Sequence, residues 1–554
     1  MKRQALGTLL ALAVTASLVA WPGAPAVAST RRPIGTDAAA PLAAPVLTLR
    51  QLVGQKLVVA MHGLAPSADL LGRIQRGEVG GVILFGANIA SAPQLVSLTR
   101  QLQQAATSGG RPPLLIATDQ EGGGVKRLDW APPTLSPPQM GATGSAATAA
   151  AQGKATGRLL ACAGINNNLA PVADVPSSMA SFMYQEGRTF SFDASVTASL
   201  SNAFASGLRA RGVLPAMKHF PGLGFAARNT DSHVVTIHAS KAALGPGLRP
   251  YRTAIGRNVP LIMLSNATYT AYDPDRAAGW SPAISVGLLR QTLGFRGISI
   301  TDSLTGIAAA RGVSPTTLAI RAAQAGTDMI LVSGTESATR ATYAGLLTAA
   351  RDGRIARGRL LTSYDRILAT KAQISPPPDD TTAPTVAAPQ TALLGDGQLG
   401  PITSPVQTTW SASDPCHIAG FALQRQRNGG AWIGQGPADG TDTAVVHTVP
   451  IGSTIRYRLR ATDGAGNTSA FSLGRPFRVR ATQESGAGVT YAKQWQTVAS
   501  SDAASGSLAF SRVAGARATF TFSGYAVSWV AARGPNRGSA AVYVDGHLAR
   551  RISL

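Results

Sequence analysis

An aspartate and a histidine two positions apart have the clearest chemical potential in this sequence. Asp231 and His233 lie in KHFPGLGFAARNTDSH, which begins at Lys218 within the apolar strand run LPAMKHF from Leu214 and continues as a loop after Pro221 and Gly222. Imidazole exchanges a proton near pH 7, and a neighbouring carboxylate stabilises its cation. The spacing predicts a mobile loop with an acid/base pair, whereas a surface loop with an incidental histidine is the alternative for one such pair in isolation.

The chain around this loop alternates short apolar runs with Ala- and Leu-rich helical stretches. Eight near-continuous apolar strands joined by helical crossovers predict a closed (β/α)8 TIM-type barrel over residues 47–374, and a doubly wound open sheet is the alternative. The eight runs are LVVAMHG from Leu57, GGVILFG from Gly80, LLIATDQ from Leu114, INNNLAPVADV from Ile165, LPAMKHF from Leu214, LIMLSNA from Leu261, GISITDSL from Gly297 and DMILVSG from Asp328.

Polar side chains stand at the carboxyl ends of several predicted strands. Asp119, Lys218 with His219, Asn266 and Asp302 all occupy such positions. Because the strands of a barrel are parallel, their carboxyl ends meet on one face, where barrel enzymes build their active sites. We therefore expect these side chains to surround one cleft.

The first residues predict export. Two basic residues precede the apolar run from Ala5 to Ala20, and small residues follow at positions 26 to 28. This order is typical of a secretory signal peptide over residues 1–28, followed by a tether over residues 29–46. A membrane span is the alternative, but the apolar run is short and is followed by Pro and Gly. We expect a secreted protein with no stable membrane insertion after signal cleavage.

The pattern changes after residue 374. Residues 375–388 form a Pro-rich linker, after which apolar residues alternate with polar ones, as in half-buried strands. Residues 389–481 resemble the fibronectin type III-like β-sandwich modules of secreted bacterial enzymes, on this alternation and on the turn ATDGAGNTS. Residues 482–554 resemble part of a jelly-roll β-domain, either a minimal module or one cut short by the end of the sequence.

Basic residues are in excess, with 50 Lys and Arg against 27 Asp and Glu and a formal net charge of +23. This charge favours anionic partners, although an Arg-rich proteome would produce the same excess. No basic stripe interleaved with aromatic residues and no nucleic-acid motif is present, so we expect no nucleic-acid partner. An acidic cell-wall polymer, bound by the C-terminal β-modules, is the expected macromolecular partner.

Two cysteines and three neighbouring asparagines complete the candidate features. Cys162 and Cys416 fall in different predicted domains, so no disulfide is expected, and Cys162 is placed in the core of a helix. The asparagines at positions 166 to 168 are interpreted as polar caps of a strand. No set of His, Cys and carboxylate residues has metal-ligand spacing, and we expect neither a metal nor another cofactor.

Four stretches together identify a family resemblance. TDQEGGGVKRL from Thr118, EGRTF from Glu186, the loop from Lys218 and SITDSL from Ser299 resemble the glycoside hydrolase family 3 β-N-acetylglucosaminidases that consist of a barrel without a second α/β domain. GGVILFGANI, LAPVADV and SPAI extend the similarity over most of the barrel. The sequence departs from many relatives at Gly124, Leu223 and Ser303, and its acid/base loop is about two residues longer, which predicts weaker activity.

The resemblance implies a role for each candidate. Asp302 corresponds to a nucleophile that forms a covalent glycosyl-enzyme, and His233 with Asp231 corresponds to the acid/base pair. Residues that contact the terminal sugar are implied at Asp119, Arg127, Arg188, Lys218 and His219. The structural alternatives are an ion pair of Arg188 with Glu186 or Asp193, and a barrel-mouth ion pair for Lys218.

The resulting expectation is a secreted retaining exo-β-N-acetylglucosaminidase, a β-N-acetylhexosaminidase acting on terminal β-linked N-acetylglucosamine of peptidoglycan fragments or related glycans. A β-glucosidase of the same family is one alternative. A non-catalytic cell-wall-binding protein that keeps the barrel as a scaffold is the other.

Overall fold

The computed structural model describes residues 47–377, 380–394, 402–414, 416, 418–439, 442–501, 503 and 505–554. The predicted signal peptide and tether, residues 1–46, lie outside this part of the chain. Within the described ranges, every helix is too short or too polar to cross a bilayer.

A ring of eight parallel strands forms the first half of the structure. With the strands numbered β1 to β8 along the chain, neighbouring strands in the sheet follow the order β7-β6-β5-β4-β3-β2-β1-β8. A parallel bridge between Ile300 and Met329 connects the two edge strands of this order and closes the ring. The predicted (β/α)8 barrel is confirmed, and the open sheet is rejected. The strands are β1 Leu57–Ala60, β2 Gly81–Leu84, β3 Leu115–Thr118, β4 Asn167–Asn168, β5 Leu214–Phe220, β6 Leu261–Leu264, β7 Ile298–Thr301 and β8 Ile330–Val332.

Most barrel strands are largely apolar because both of their faces are covered. Val58 and Ala60 point into the barrel and pack with Met263 and Ile300, whereas Leu57 belongs to the layer between strands and helices. Burial on both faces explains why the sequence shows apolar runs instead of alternation.

Helices surround the ring, and most of them begin at a Ser, Thr or Asp that caps the first turn, as Asp193 does. They are α1 Leu49–Gly54, α2 Ala68–Gln75, α3 Ala92–Ser108, α4 Pro137–Thr143, α5 Ala146–Cys162, α6 Phe182–Gln185, α7 Ala194–Arg209, α8 Lys241–Leu244, α9 Arg249–Gly256, a π-helix Ala283–Thr292, α10 Leu304–Ala310, α11 Pro315–Ala325, α12 Glu336–Arg351 and α13 Arg357–Lys371.

The amino-terminal ends of the strands form the floor of the barrel, where charged side chains are fully enclosed. Lys56 Nζ donates to Thr327 O at 2.8 Å and to Ser363 Oγ at 2.9 Å. Lys371 Nζ donates to Gln55 Oε1 at 2.7 Å and to Gly80 O at 2.6 Å. Burial lowers the pKa of Lys56 to about 8 and that of Lys371 to about 7.

Two antiparallel sheets follow the barrel. One hydrophobic cluster takes Val406 and Val449 from the first sheet and Leu423 and Leu459 from the second, which is the arrangement of a two-layer sandwich. The fibronectin type III-like assignment stays a prediction. The strands of the two sheets are Gln390–Leu393, Thr403–Thr409 and Ala444–Pro450, then Ile418–Arg427, Trp432–Asp439, Thr454–Asp463, Ser472–Leu473 and Phe477–Arg478; Thr385–Val386 pairs with Ala412–Ser413 beside them.

The last described segment consists of three separate two-stranded ladders. Of the long alternating run that starts at Ala516, only Arg517–Phe520 forms a strand. The partial jelly-roll assignment remains a prediction. The pairs are Val489–Ala492 with Arg517–Phe520, Gln496–Ala499 with Ser507–Phe510, and Ser539–Val544 with His547–Ser553.

The prediction of two unpaired cysteines was wrong. Cys162, the last residue of α5, forms a disulfide with Cys416 of the sandwich, with their Cα atoms 5.4 Å apart. The two residues are separated by 254 positions in sequence, so only the packing of the sandwich against the outer helices brings them together. Cys162 is half-buried at a helix end instead of enclosed in the core.

The asparagines at positions 166 to 168 bind the ladder instead of capping a strand. Asn166 accepts from Ile116 N at 2.8 Å and donates to Leu114 O at 2.9 Å. Asn168 Oδ1 accepts from Gln120 N at 2.9 Å, and Asn168 Nδ2 donates to Gln120 O at 3.0 Å. These buried side chains join β4 to β3 where the short β4 strand alone makes few main-chain bonds.

Candidate active site

Three strands deliver charged side chains to the carboxyl-terminal face of the barrel, the mouth. Asp119 follows β3, Lys218 and His219 lie in β5, and Asp302 follows β7. Lys218 Nζ lies 2.7 Å from Asp119 Oδ1 and 2.6 Å from Glu121 Oε1. Burial lowers the pKa of Lys218, but the charges of the two carboxylates outweigh burial and raise it above its ordinary value. Lys218 is therefore a cation held between two acids.

Arg188 forms a bidentate pair with Glu121. Its Nε donates to Oε2 at 2.9 Å, and its Nη2 donates to Oε1 at 2.8 Å. Burial of Glu121 raises the pKa of its carboxyl, but the charges of Lys218 and Arg188 outweigh that effect and lower the pKa to about 2. The alternative partners weighed from sequence, Glu186 and Asp193, are not among the described contacts of Arg188, and Asp193 instead caps α7.

Arg127 stands at the edge of the same group. Its Nη2 lies 3.7 Å from Asp119 Oδ2, and its guanidinium lies 5.7 Å from the ring centroid of Phe85. The side chain of Gln120 accepts from Arg127 N at 2.9 Å and holds the short turn that carries Arg127. A Cβ at Gly124 would meet no atom within 4 Å, so there is open space beside the turn at this departure from the family pattern.

His219 is held by Asp174. The carboxylate places Oδ2 2.8 Å from His219 Nδ1, and its Oδ1 accepts from His219 N at 3.1 Å and from Leu223 N at 2.8 Å. Asp174 is fully buried, so the ring of His219 is fixed in position. The Leu223 side chain is itself buried, in a hydrophobic cluster that also contains Met183 and Phe220.

Two carboxylates that position the predicted site residues were not singled out from the sequence. Glu121 joins Lys218 to Arg188, and Asp174 orients His219. The signal was present, because both acids follow an apolar strand run, in ATDQEGG and LAPVADV. Their pairing with cations from other strands was not, since it depends on which strands are neighbours in the ring.

Asp302 lies half-buried between β7 and α10. Its main-chain N donates to Leu264 O at 2.9 Å, and its Oδ1 accepts from Ser303 N at 2.8 Å. Asn266 Nδ2 donates to Ser303 O at 3.0 Å, and Ser303 Oγ lies 2.6 Å from Ser333 Oγ. Ser303 therefore links the ends of β6, β7 and β8 behind the Asp302 carboxylate.

The predicted acid/base loop reaches across to Asp302 through Asp231. A Cβ at Gly306 of α10 would lie 2.2 Å from Asp231 O, so the loop backbone rests directly on the helix that follows Asp302. The charge of Asp302, followed by desolvation, raises the pKa of Asp231 to about 7, and the charges of His219, Arg188 and Lys218 oppose that shift. Two carboxylates thus share the mouth.

His233 faces its own loop. Its Nδ1 lies 3.0 Å from Ser232 Oγ and 3.3 Å from Asn229 O, and its main-chain N donates to Asn229 O at 3.0 Å. Among the described contacts, Asp231 does not hydrogen-bond to this imidazole. The bond from His233 N to Asn229 O closes one helical turn, in which side chains two positions apart do not face each other.

The structure therefore assembles all predicted sugar-contacting residues, Asp302 and Asp231 around one space. The charges that act on Asp231 come from β5, from the end of β7 and from the loop after β4. A carboxylate on a rigid strand end beside a second titratable group is suited to nucleophilic and proton-transfer chemistry at one carbon.

Comparison with known proteins gives consistent matches over the barrel. The Glycosyl hydrolase family 3 N terminal domain matches residues 48–370. An uncharacterized secreted glycosyl hydrolase of Arthroderma benhamiae is 34% identical over 345 residues, 61% of this chain and 97% of that protein. A β-hexosaminidase of Xylella fastidiosa is 33% identical over 328 residues, 56% of this chain and 94% of that protein. The crystal structure of a β-N-acetylhexosaminidase from Beutenbergia cavernae is 35% identical, with a TM-score of 0.54, over 59% of this chain and 99% of that chain.

Proposed function

This chain belongs to glycosyl hydrolase family 3, and from that membership we propose that it is a retaining exo-β-N-acetylglucosaminidase. Its substrates are glycans with a terminal β-linked N-acetylglucosamine, such as peptidoglycan fragments. The names of the Xylella and Beutenbergia relatives support the amino-sugar substrate. The observation that supports the chemistry most is the Asp302 carboxylate at the end of β7, opposite the loop of Asp231 and His233.

Asp302 acts as the nucleophile. Its carboxylate attacks the anomeric carbon while the leaving-group oxygen takes a proton, and water then releases the sugar from the covalent ester with retained configuration. The hydrogen bond from Ser303 N and the rigid strand end keep Oδ1 oriented, which limits the carboxylate to one direction of attack.

His233 supplies the proton and later activates water. Because the imidazole faces Ser232 and Asn229 in this structure, the loop has to unwind its helical turn before His233 reaches the sugar. The raised pKa of Asp231 favours a second arrangement, in which this carboxylic acid protonates the leaving group itself, since a general acid works best with a pKa near the operating pH.

The terminal sugar binds against the side chains that retain exposed surface. Arg127, Arg188 and Asp119 keep 31%, 17% and 12% of their side-chain surface, whereas Lys218 and His219 keep 3% and 5%. The first three therefore offer the broader contacts to hydroxyl and acetamido groups, and Lys218 and His219 contribute single atoms. Guanidinium and carboxylate groups can each form two directed bonds to a sugar.

A panel of p-nitrophenyl glycosides tests the proposal. The N-acetylglucosaminide should be hydrolysed and the glucoside should not, whereas the reverse preference would favour the β-glucosidase alternative. Asp302→Ala should lower kcat by roughly 10³-fold or more without lowering the melting temperature. Binding to purified cell wall without turnover, unaffected by Asp302→Ala, would favour the non-catalytic alternative.

We further propose that the protein is secreted and that its β-modules bind an anionic cell-wall polymer. The name of the Arthroderma relative supports secretion. On the outer face of the sandwich, the Arg458 guanidinium stacks between Trp432 at 4.4 Å and Phe471 at 4.0 Å, with Arg456 and Arg460 on the same side of the strand. Replacing Arg456 and Arg460 by Ser should release the Asp302→Ala protein from purified cell wall at lower salt, because fewer cations contact the polymer.

A further inference from the structure

The exposed apolar side chains of the barrel are all at its mouth. Within the described residues of the barrel, the large hydrophobic side chains with substantial exposure are Leu64, Met179, Tyr184, Phe192, Phe225 and Val234. Every one of them lies in a segment that follows a strand, and all but Leu64 lie in the segments after β4 and β5, with Tyr184 in the short helix α6. Because these strands are neighbours in the ring, the five side chains occupy one sector of the mouth.

The two loops of this sector are bonded to each other. Ser177 N donates to Gly224 O at 3.0 Å, and Phe182 N donates to Ala226 O at 2.8 Å. A Cβ at Gly224 would lie 1.8 Å from Val175 O, so the loops approach too closely for a side chain there. These bonds flank Met179 on one loop and Phe225 on the other, and they hold both in place although Met179 is 71% exposed.

A second aromatic pair lies further along the loop after β4. The rings of Tyr184 and Phe192 have centroids 4.8 Å apart, and both are exposed. The neighbouring Met183 is buried, and its Sδ lies 3.8 Å from Arg188 Nη1. The exposed sector is therefore continuous with the charged cluster of the mouth through α6.

The chemistry of the site says which part of a substrate passes over this sector. The group that donates a proton contacts the glycosidic oxygen, and the leaving group is attached to that oxygen. Asp231 and His233, the two candidate donors, lie in the loop after β5, with Val234 beside them. The leaving group therefore departs on the side of the loops after β4 and β5, where an apolar surface of this kind marks a ligand-binding area.

We propose that Met179, Tyr184, Phe192, Phe225 and Val234, the leaving-group sector, bind the sugar ring of the leaving group, which follows the scissile bond. A pyranose presents C–H groups on its faces, which an exposed aromatic or thioether surface desolvates while the hydroxyls at its rim stay in water. The sector selects substrates whose leaving group is itself a sugar. This inference rests on the proposed glycosidase function.

Binding to the inactivated Asp302→Ala protein tests the sector without turnover. Calorimetry should show that the β-1,4-linked dimer of N-acetylglucosamine binds about 10-fold more tightly than the monosaccharide. Adding Met179→Ser and Phe225→Ser should abolish that gain and leave the affinity for the monosaccharide unchanged. Met179→Ser alone, at the most exposed position, should remove part of the gain without affecting the fold.

Leu64→Ser is the matched control, since Leu64 is 47% exposed at the same end of the barrel but follows β1, across the ring from β5. It should leave both affinities unchanged. Equal affinity for dimer and monosaccharide, or a gain in affinity that persists in the double variant, would refute the assignment of this sector to the leaving group. Neither result would contradict the proposed glycosidase function. Failure of the monosaccharide to bind at all would instead contradict the proposed function, and the sector with it.

Discussion

The floor and the mouth of the barrel both bury charged side chains, but they neutralise them differently. On the floor, Lys56 and Lys371 donate to main-chain carbonyls and neutral side chains. Asp328 accepts from Ser299 N and binds both Arg290 and Arg366. These floor charges are therefore neutralised or solvated by groups of the protein itself.

At the mouth, charges of like sign are placed together. The charge of Asp302 acts on Asp231 and is the main cause that raises its pKa to about 7, and Lys218 is shared between two acids. Such an arrangement costs stability and leaves hydrogen-bonding capacity for a substrate. The difference indicates that burial of charge alone does not identify an active site, whereas crowded charge with residual exposure does.

Removing the acid that joins the mouth cluster should have the largest effect. Glu121→Gln leaves the buried Lys218 and Arg188 with one fewer counter-charge, and we expect a loss of roughly 3–5 kcal/mol in the free energy of unfolding, together with loss of turnover. Chemical denaturation and the N-acetylglucosaminide assay measure the two. Asp352→Asn, which removes one member of an exposed ion pair with Arg354, is the control, and equal stability of both variants would contradict the ion-pair assignment.

Asp328→Asn, on the floor of the barrel, should lower stability without lowering catalytic activity. The substitution leaves Arg290 and Arg366 without their anion, and we expect a loss of about 3 kcal/mol in the free energy of unfolding. Because no floor residue contacts the substrate, kcat measured well below the melting temperature should stay within about 2-fold of the unchanged protein. A large fall in kcat of the folded protein would show that the two ends are coupled.

His233→Ala should discriminate between the two candidate proton donors. We expect kcat/KM to fall by about 10²-fold for alkyl and sugar leaving groups, which need protonation, and much less for p-nitrophenyl, which does not. The same leaving-group dependence in Asp231→Asn, with His233→Ala unaffected, would assign proton transfer to Asp231 instead.

Asp231→Asn should produce a small, pH-dependent gain in stability. A carboxyl whose pKa is raised by folding binds more protons in the folded state, so its contribution to stability falls as pH rises from about 4 to about 7. The variant should therefore melt a few degrees higher than the unchanged protein at pH 8 and at the same temperature below pH 4. A constant difference across this range would mean that repulsion by Asp302 is not the cause.

The architecture of the barrel could be predicted because it depends on local patterning. Apolar runs at the length of one strand, repeated eight times between helical stretches, allow few folds other than this barrel. The mouth residues Asp119, Lys218 and Asp302 followed from the same pattern, since any residue after a parallel strand reaches the carboxyl-terminal face. The strand arrangement of the C-terminal region could be predicted less precisely. Alternation of apolar and polar residues over a short stretch indicates a strand, but it does not indicate which strand pairs with which.

The sequence by itself determined the barrel, the end of it that carries the chemistry and the residue types gathered there. Tertiary structure alone decided the partners: the bond of Cys162 to Cys416, the joining of Lys218 to Arg188 through Glu121, and the turn that brings Asp231 under the influence of the Asp302 charge while His233 bonds to its own loop. The physical reason is distance along the chain. Strand periodicity is a property of neighbouring residues, whereas a salt bridge, a disulfide or a raised pKa depends on groups that only the closed ring and its packed loops bring together.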